Sequence, residues 1–149
     1  MRVKEIINLD AESDLFVTIF YALWDSKSGT LTYANGGHNP PLLLKANGDR
    51  RWLKAPGIAL GILPEIEIPS NSIELDPGDT LVLYTDGVTE AVNADLDEYG
   101  TNRLYWTAQS LHRQDPQTIV AGITGSVHEN TGDTPQFDDV TMVVLQRNE

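Results

Sequence analysis

A chain of 149 residues is long enough for one domain with a real core, and the absence of cysteine removes disulfides, thiolate zinc sites and a cysteine nucleophile. The net charge of −12 is unevenly spread, residues 76–149 holding 13 acids against 3 bases, or −10 of that total. A phosphate backbone needs a cationic footprint, so DNA and RNA binding are disfavoured, and most of this acidity reads as solvated surface. No stretch of about 18 apolar residues offers a membrane span, and residues 1–10 have no apolar leader core. The expected location is the cytoplasm.

In chain order, Val3–Leu9 spaces its apolar residues along one helical face but is too short to stand alone, so it reads as the tail of a longer helix. Phe16–Trp24 is apolar on both alternations and predicts a strand covered on both faces. Asp25–Gly29 is a turn, and Thr30–Asn35 returns as its hairpin partner. After the Gly36-Gly37-His38-Asn39-Pro40-Pro41 interruption, Leu42–Lys45 resumes as a strand. Asn47-Gly48-Asp49 then turns the chain into Arg51-Trp52-Leu53. His38 is a loop histidine whose near-neutral pKa would suit proton transfer, although such residues are more often structural. Ile66–Leu75 predicts a further strand.

Asp76-Pro77-Gly78-Asp79 is strong turn language, and the unbroken apolar run inside Thr80–Thr85 predicts a doubly covered strand. Asp86-Gly87 ends it, the glycine letting backbone or ligand approach closely and the acid standing at a strand mouth where a hard cation could be held; the competing reading is a plain Asp-Gly turn. Helical spacing follows at Arg103–Leu111 and at Pro116–Val127, the latter with Asp115 as N-cap and Pro116 at the first helical position. Phe137–Leu145 closes the chain as a strand introduced by Asp138-Asp139. Strands first, two helices and a last strand predict an α+β fold with helices packed on a mostly antiparallel sheet.

No phosphate-binding Gly-x4-Gly-Lys-Ser/Thr loop, His-Glu-x-x-His or Gly-x-Ser-x-Gly occurs, so chemistry is left to Asp86, Asp138, Asp139 and His38. Carboxylates from two strand ends can converge on Mg²⁺ or Mn²⁺, and two such ions about 4 Å apart could activate a bridging water for attack on phosphorus.

Four segments in order, Phe16–Tyr21, Tyr33–Pro41, Leu83–Ala91 and Asp138-Asp139-Val140-Thr141, resemble the metal-dependent PPM-type (protein phosphatase 2C-like) serine/threonine phosphatases, in their bacterial sporulation stage II E branch. The resemblance implies an α-β-β-α sandwich and a cytoplasmic phosphoserine/phosphothreonine phosphatase using two Mn²⁺ or Mg²⁺ ions. It further implies a phosphorylated protein substrate of the anti-sigma-factor-antagonist kind in a partner-switching pathway. Asp86 and Asp138 become the metal ligands, with Asp139 as the neighbouring candidate; no catalytic residue beyond these is assigned.

The family also places a Gly-Asp and an Asp-x-x-Gly-His-Gly-like segment early in the domain. Here the Gly-Asp pairs at Gly48, Gly78 and Gly132 lie in turns, and Asp97-Glu98-Tyr99-Gly100 comes late and lacks the His-Gly. Residues 1–149 therefore read as the C-terminal two-thirds of one such domain. Slow turnover by this chain alone is expected, as is self-association into a homo-oligomer. The alternative is a catalytically inactive, phosphatase-like protein-binding module.

Overall fold

The computed structural model describes residues 16–63 and 67–148, so the expected helix at 3–9 lies outside the described residues. The elements run β1 (Ile19–Asp25), β2 (Thr30–Gly36), β3 (Leu42–Leu44), β4 (Arg50–Trp52), β5 (Ser70–Glu74), β6 (Thr80–Tyr84), α1 (Asp86–Thr89), α2 (Gly100–Leu111), α3 (Pro116–Thr131) and β7 (Met142–Gln146). The described residues form two compact units, one within 1–40 and 54–75, the other within 41–53 and 76–149.

The first unit is an antiparallel sheet in the order β1-β2-β5. The expected hairpin forms: Asp25 accepts hydrogen bonds from the Lys27 amide (3.0 Å) and the Ser28 hydroxyl (2.9 Å), which fixes the turn between β1 and β2. The expected double cover of the first strand does not hold. Tyr21 and Leu23, two residues apart and so on one face of the sheet, are each 61% exposed, so that face is not covered there. Apolar alternation reports what a strand could bury, not what covers it. Of the strand expected over 66–75, residue 66 lies outside the described residues and the five of β5 form.

The second unit carries the antiparallel sheet β4-β3-β6-β7. Here the double-cover reading of the central strand holds: Leu81 and Val82 are fully buried and Tyr84 nearly so. Leu42, Leu44, Val82 and Tyr84 share one core with Leu104 and Ala108 of α2 and with Ile119, Ile123 and Val127 of α3. Burying each such leucine contributes about 1.5–3 kcal/mol before entropy is counted. Between the helices the Tyr99 hydroxyl is held by Ser126 (2.9 Å) and Thr107 (3.1 Å), which satisfies a buried polar group.

Asp115 caps α3 as expected, its carboxylate accepting the Thr118 amide at 3.0 Å, with Pro116 at the first position. The turn before β6 also forms, and its Asp79 is buried. That carboxylate accepts from the Lys45 ammonium (2.6 Å) and from the backbone amides of Ala46 (2.9 Å) and Asp76 (2.8 Å). Burial would lower the Lys45 pKa, but hydrogen bonds to Asp76 and Asp79 outweigh it and hold the ammonium above the usual lysine range.

Candidate functional site

The end of β6 and the segment before β7 lie side by side. Beyond the last ladder pair, Tyr84 with Met142, the Thr85 amide donates to the Thr141 carbonyl at 3.1 Å. The Thr85 hydroxyl then works in both directions. It accepts the Thr141 amide at 3.0 Å and donates to the Asp139 carbonyl at 2.9 Å. One side chain thus joins the stretch bearing Asp86 to the stretch bearing Asp138 and Asp139.

Gly87 makes that approach sterically possible. A Cβ at this position would lie 2.5 Å from the Asp139 carbonyl oxygen and 2.9 Å from its carbon, inside any real contact distance. The Asp138 carbonyl accepts the Gln136 side-chain amide at 2.6 Å, and an Asp138 carboxylate oxygen accepts the Asp139 amide at 2.7 Å. These bonds pull residues 137–141 out of the ladder, so the strand expected to begin at Phe137 begins at Met142 instead.

Asp86 opens α1 and accepts the Gly87 amide at 3.1 Å. Its carboxylate stands at the end of β6, the strand mouth expected from the sequence. The residue is exposed, because the chain turns into α1 immediately after β6 and carries the side chain to the surface. Asp138 and Asp139 are exposed as well. All three are hard oxygen donors on adjoining stretches. A magnesium-like ion is often held by one or two carboxylates, its own waters and substrate phosphate, and this donor set fits that pattern. Among the described residues, no group of three acid or histidine side chains gathers closely enough to hold an ion unaided.

His38 belongs to the first unit. Asn35, almost fully buried, accepts the His38 amide (2.7 Å) and donates to its carbonyl (2.8 Å), and the ring Nδ1 lies 3.2 Å from the Thr18 hydroxyl. That pairing accounts for the histidine as a loop brace. The close backbone approach expected at Gly87 is present, at Asp139; Thr85 was not singled out as a positioning residue, although it stands in the Thr-Asp-Gly triplet whose acid was.

A cleft of about 690 Å³ adjoins the acids, bounded by α3, by residues 132–142 and by the chain just after α1; both Gly87 and Asp138 line it. No helix among the described residues is long and apolar enough to cross a membrane.

The family model for stage II sporulation protein E (SpoIIE) matches residues 1–148. Protein IcfG of Synechocystis sp. is 33% identical over 141 residues, 90% of this chain and 21% of that protein. Phosphoserine phosphatase RsbU of Bacillus subtilis is 28% identical over 149 residues, 98% of this chain and 43% of that one. The chain thus spans less than half the length of these curated relatives. Among solved structures, the Mn-presoaked phosphatase domain of SpoIIE from Bacillus subtilis superposes with a TM-score of 0.69 at 20% identity, covering 98% of this chain and 63% of that one. The fold is that of PP2C-type phosphatase domains, as the motif resemblance implied. With a family model matching almost end to end and both acid motifs brought together, the chain belongs to the stage II sporulation protein E (SpoIIE) family of PPM-type phosphatases.

Proposed function

We propose that the two units are parts of one PPM-type domain that hydrolyses phosphoserine or phosphothreonine in a protein substrate, using Mn²⁺ or Mg²⁺ held by Asp86 and Asp138, with Asp139 beside them. The observation that carries this is the double hydrogen bond of the Thr85 hydroxyl, which ties the two acid-bearing stretches together with no side chain at Gly87 to separate them. When bound, a divalent ion supplies Lewis-acid charge and lowers the pKa of a water. The protein's share is positional. Asp86 and Asp138 present anionic oxygens to the ion, while Thr85 and Gln136 fix the backbone that carries them.

The similarity to RsbU, a phosphoserine phosphatase, supports a phosphorylated regulatory protein as substrate, of the anti-sigma-factor-antagonist class, acted on in the cytoplasm. Turnover by residues 1–149 alone is slow, because the early acid motifs of the family do not occur among them. In the natural full-length protein, Asp86→Asn cuts the Mn²⁺-dependent rate on a phosphoserine protein at least about tenfold, equivalent to about 1.4 kcal/mol of transition-state stabilisation. An unchanged rate and metal requirement would overturn the assignment. A second reading, an inactive phosphatase-like binding module, is favoured by one observation: no three-residue acid or histidine cluster forms among the described residues. Absence of Mn²⁺ binding in a well-folded full-length protein would select it.

A further inference from the structure

We infer that the cleft beside α3 seats the stretch of substrate chain flanking the phosphorylated residue, and that it favours an apolar side chain next to a basic one. This rests on the phosphatase reading above and names the substrate class for that site. The first argument is continuity. Gly87 and Asp138 belong to the candidate metal site and also line the cleft, so a phosphate brought to those acids lays its neighbouring residues along the same depression.

The second argument is shape and chemistry. At about 690 Å³ the cleft is within the size range of specific ligand pockets, with room for more than one side chain. Val120, Val127 and Met142 supply apolar surface that is half-buried or buried, and Thr124 adds a hydroxyl able to bond an extended backbone. Such a mixture suits a peptide segment better than a purely apolar ligand.

The third argument is charge. Glu90 is exposed on the lining, the surrounding residues 76–149 hold 13 acids against 3 bases, and no lysine or arginine lines the cleft among the described residues, where His128 is the one basic side chain; the charge of Asp138 is left to the ion. An acidic flank would meet like charge, and a basic one would meet complementary charge, which is how such surfaces discriminate between partners.

The test uses a fluorescein-labelled peptide with leucine and arginine at the second and third positions on both sides of a phosphoserine. Its control carries alanine and glutamate in their place. Anisotropy with the purified chain and Mn²⁺ should show the first peptide binding at least about tenfold more tightly. Thr124→Arg, which fills the cleft with a cation, should bring the two peptides within about twofold. Glu90→Lys, an exposed change that leaves the core untouched, should shift preference toward the glutamate peptide. Equal affinity in the wild type, or a preference that survives both substitutions, would overturn the inference; a cleft closed by another segment of this protein gives the first of those results. Hydrolysis of p-nitrophenyl phosphate separates the two readings. Measured on the full-length protein, since residues 1–149 alone turn over slowly, turnover with no peptide preference removes the groove alone, whereas preference without turnover keeps the groove and removes the phosphatase.

Discussion

The Cα of Gly87 stands so close to the Asp139 backbone that a Cβ built on it would lie 2.5 Å from the Asp139 carbonyl oxygen. That contact decides which residue can follow Asp86. Gly87→Ala must push residues 138–139 away, and relieving such an overlap typically costs about 1–3 kcal/mol. The urea midpoint should fall with an unchanged slope, and a midpoint equal to wild type would show that the two stretches are not held together.

Thr85→Val keeps the shape of the side chain and removes both bonds of its hydroxyl, to the Asp139 carbonyl and from the Thr141 amide. Both bonds are solvent-exposed, so water can replace them and the loss is about 0.5–1.5 kcal/mol. Thr85→Ser retains the hydroxyl and should recover most of the loss. If Thr85 positions the acids, Val but not Ser also raises the Mn²⁺ concentration needed for half-saturation, by about tenfold; equal Mn²⁺ affinity in both variants would make Thr85 purely structural.

Burial pushes the Tyr84 phenol up to about 12 from its ordinary 10.0. A group whose folded pKa is raised contributes stability that is complete below the unfolded value and is lost as pH rises toward the folded one. Denaturant stability should therefore decline between pH 10 and about 12. Tyr84→Phe, which keeps the ring that meets Trp52 edge-on at 6.3 Å, should flatten part of that decline. An identical alkaline slope in wild type and variant would contradict the burial account.

Much of this architecture is legible in the residues themselves. The Asp115-Pro116 helix start, the Asn47-Gly48-Asp49 hairpin and the core strand Thr80–Tyr84 each follow from local chemistry, and the structure reproduces them. What failed depends on partners far along the chain. Phe16–Trp24 has the composition of a covered strand, yet whether a face is covered is settled by other elements. Val140-Thr141 has strand propensity, yet the Thr85 hydroxyl and the Gln136 amide draw its neighbourhood into a loop. The candidate acids Asp86, Asp138 and Asp139 stand in two short motifs. Gly87 reads as a place of close backbone approach, but the role of Thr85 in joining the two stretches appears only once 85–87 and 138–141 are adjacent.

Exposed Tyr21 and Leu23 on β1 carry a further expectation. Exposed apolar side chains gathered on one strand invite association with another chain. Purified residues 1–149 should sediment as a dimer or larger species at high micromolar concentration, and Leu23→Lys should shift the distribution toward monomer. A compact wild-type monomer throughout that range would count against it.

The most direct test of the central claim is a Mn²⁺ titration of the full-length protein, read by the electron paramagnetic resonance signal of the free ion. Asp86→Asn and Asp138→Asn should each weaken binding by about tenfold or more, and Asp139→Asn by less, because removing a ligand's charge removes a hard anionic donor. Folding should stay intact, since all three side chains are exposed. A wild-type isotherm in Asp86→Asn would contradict the metal site and with it the phosphatase reading.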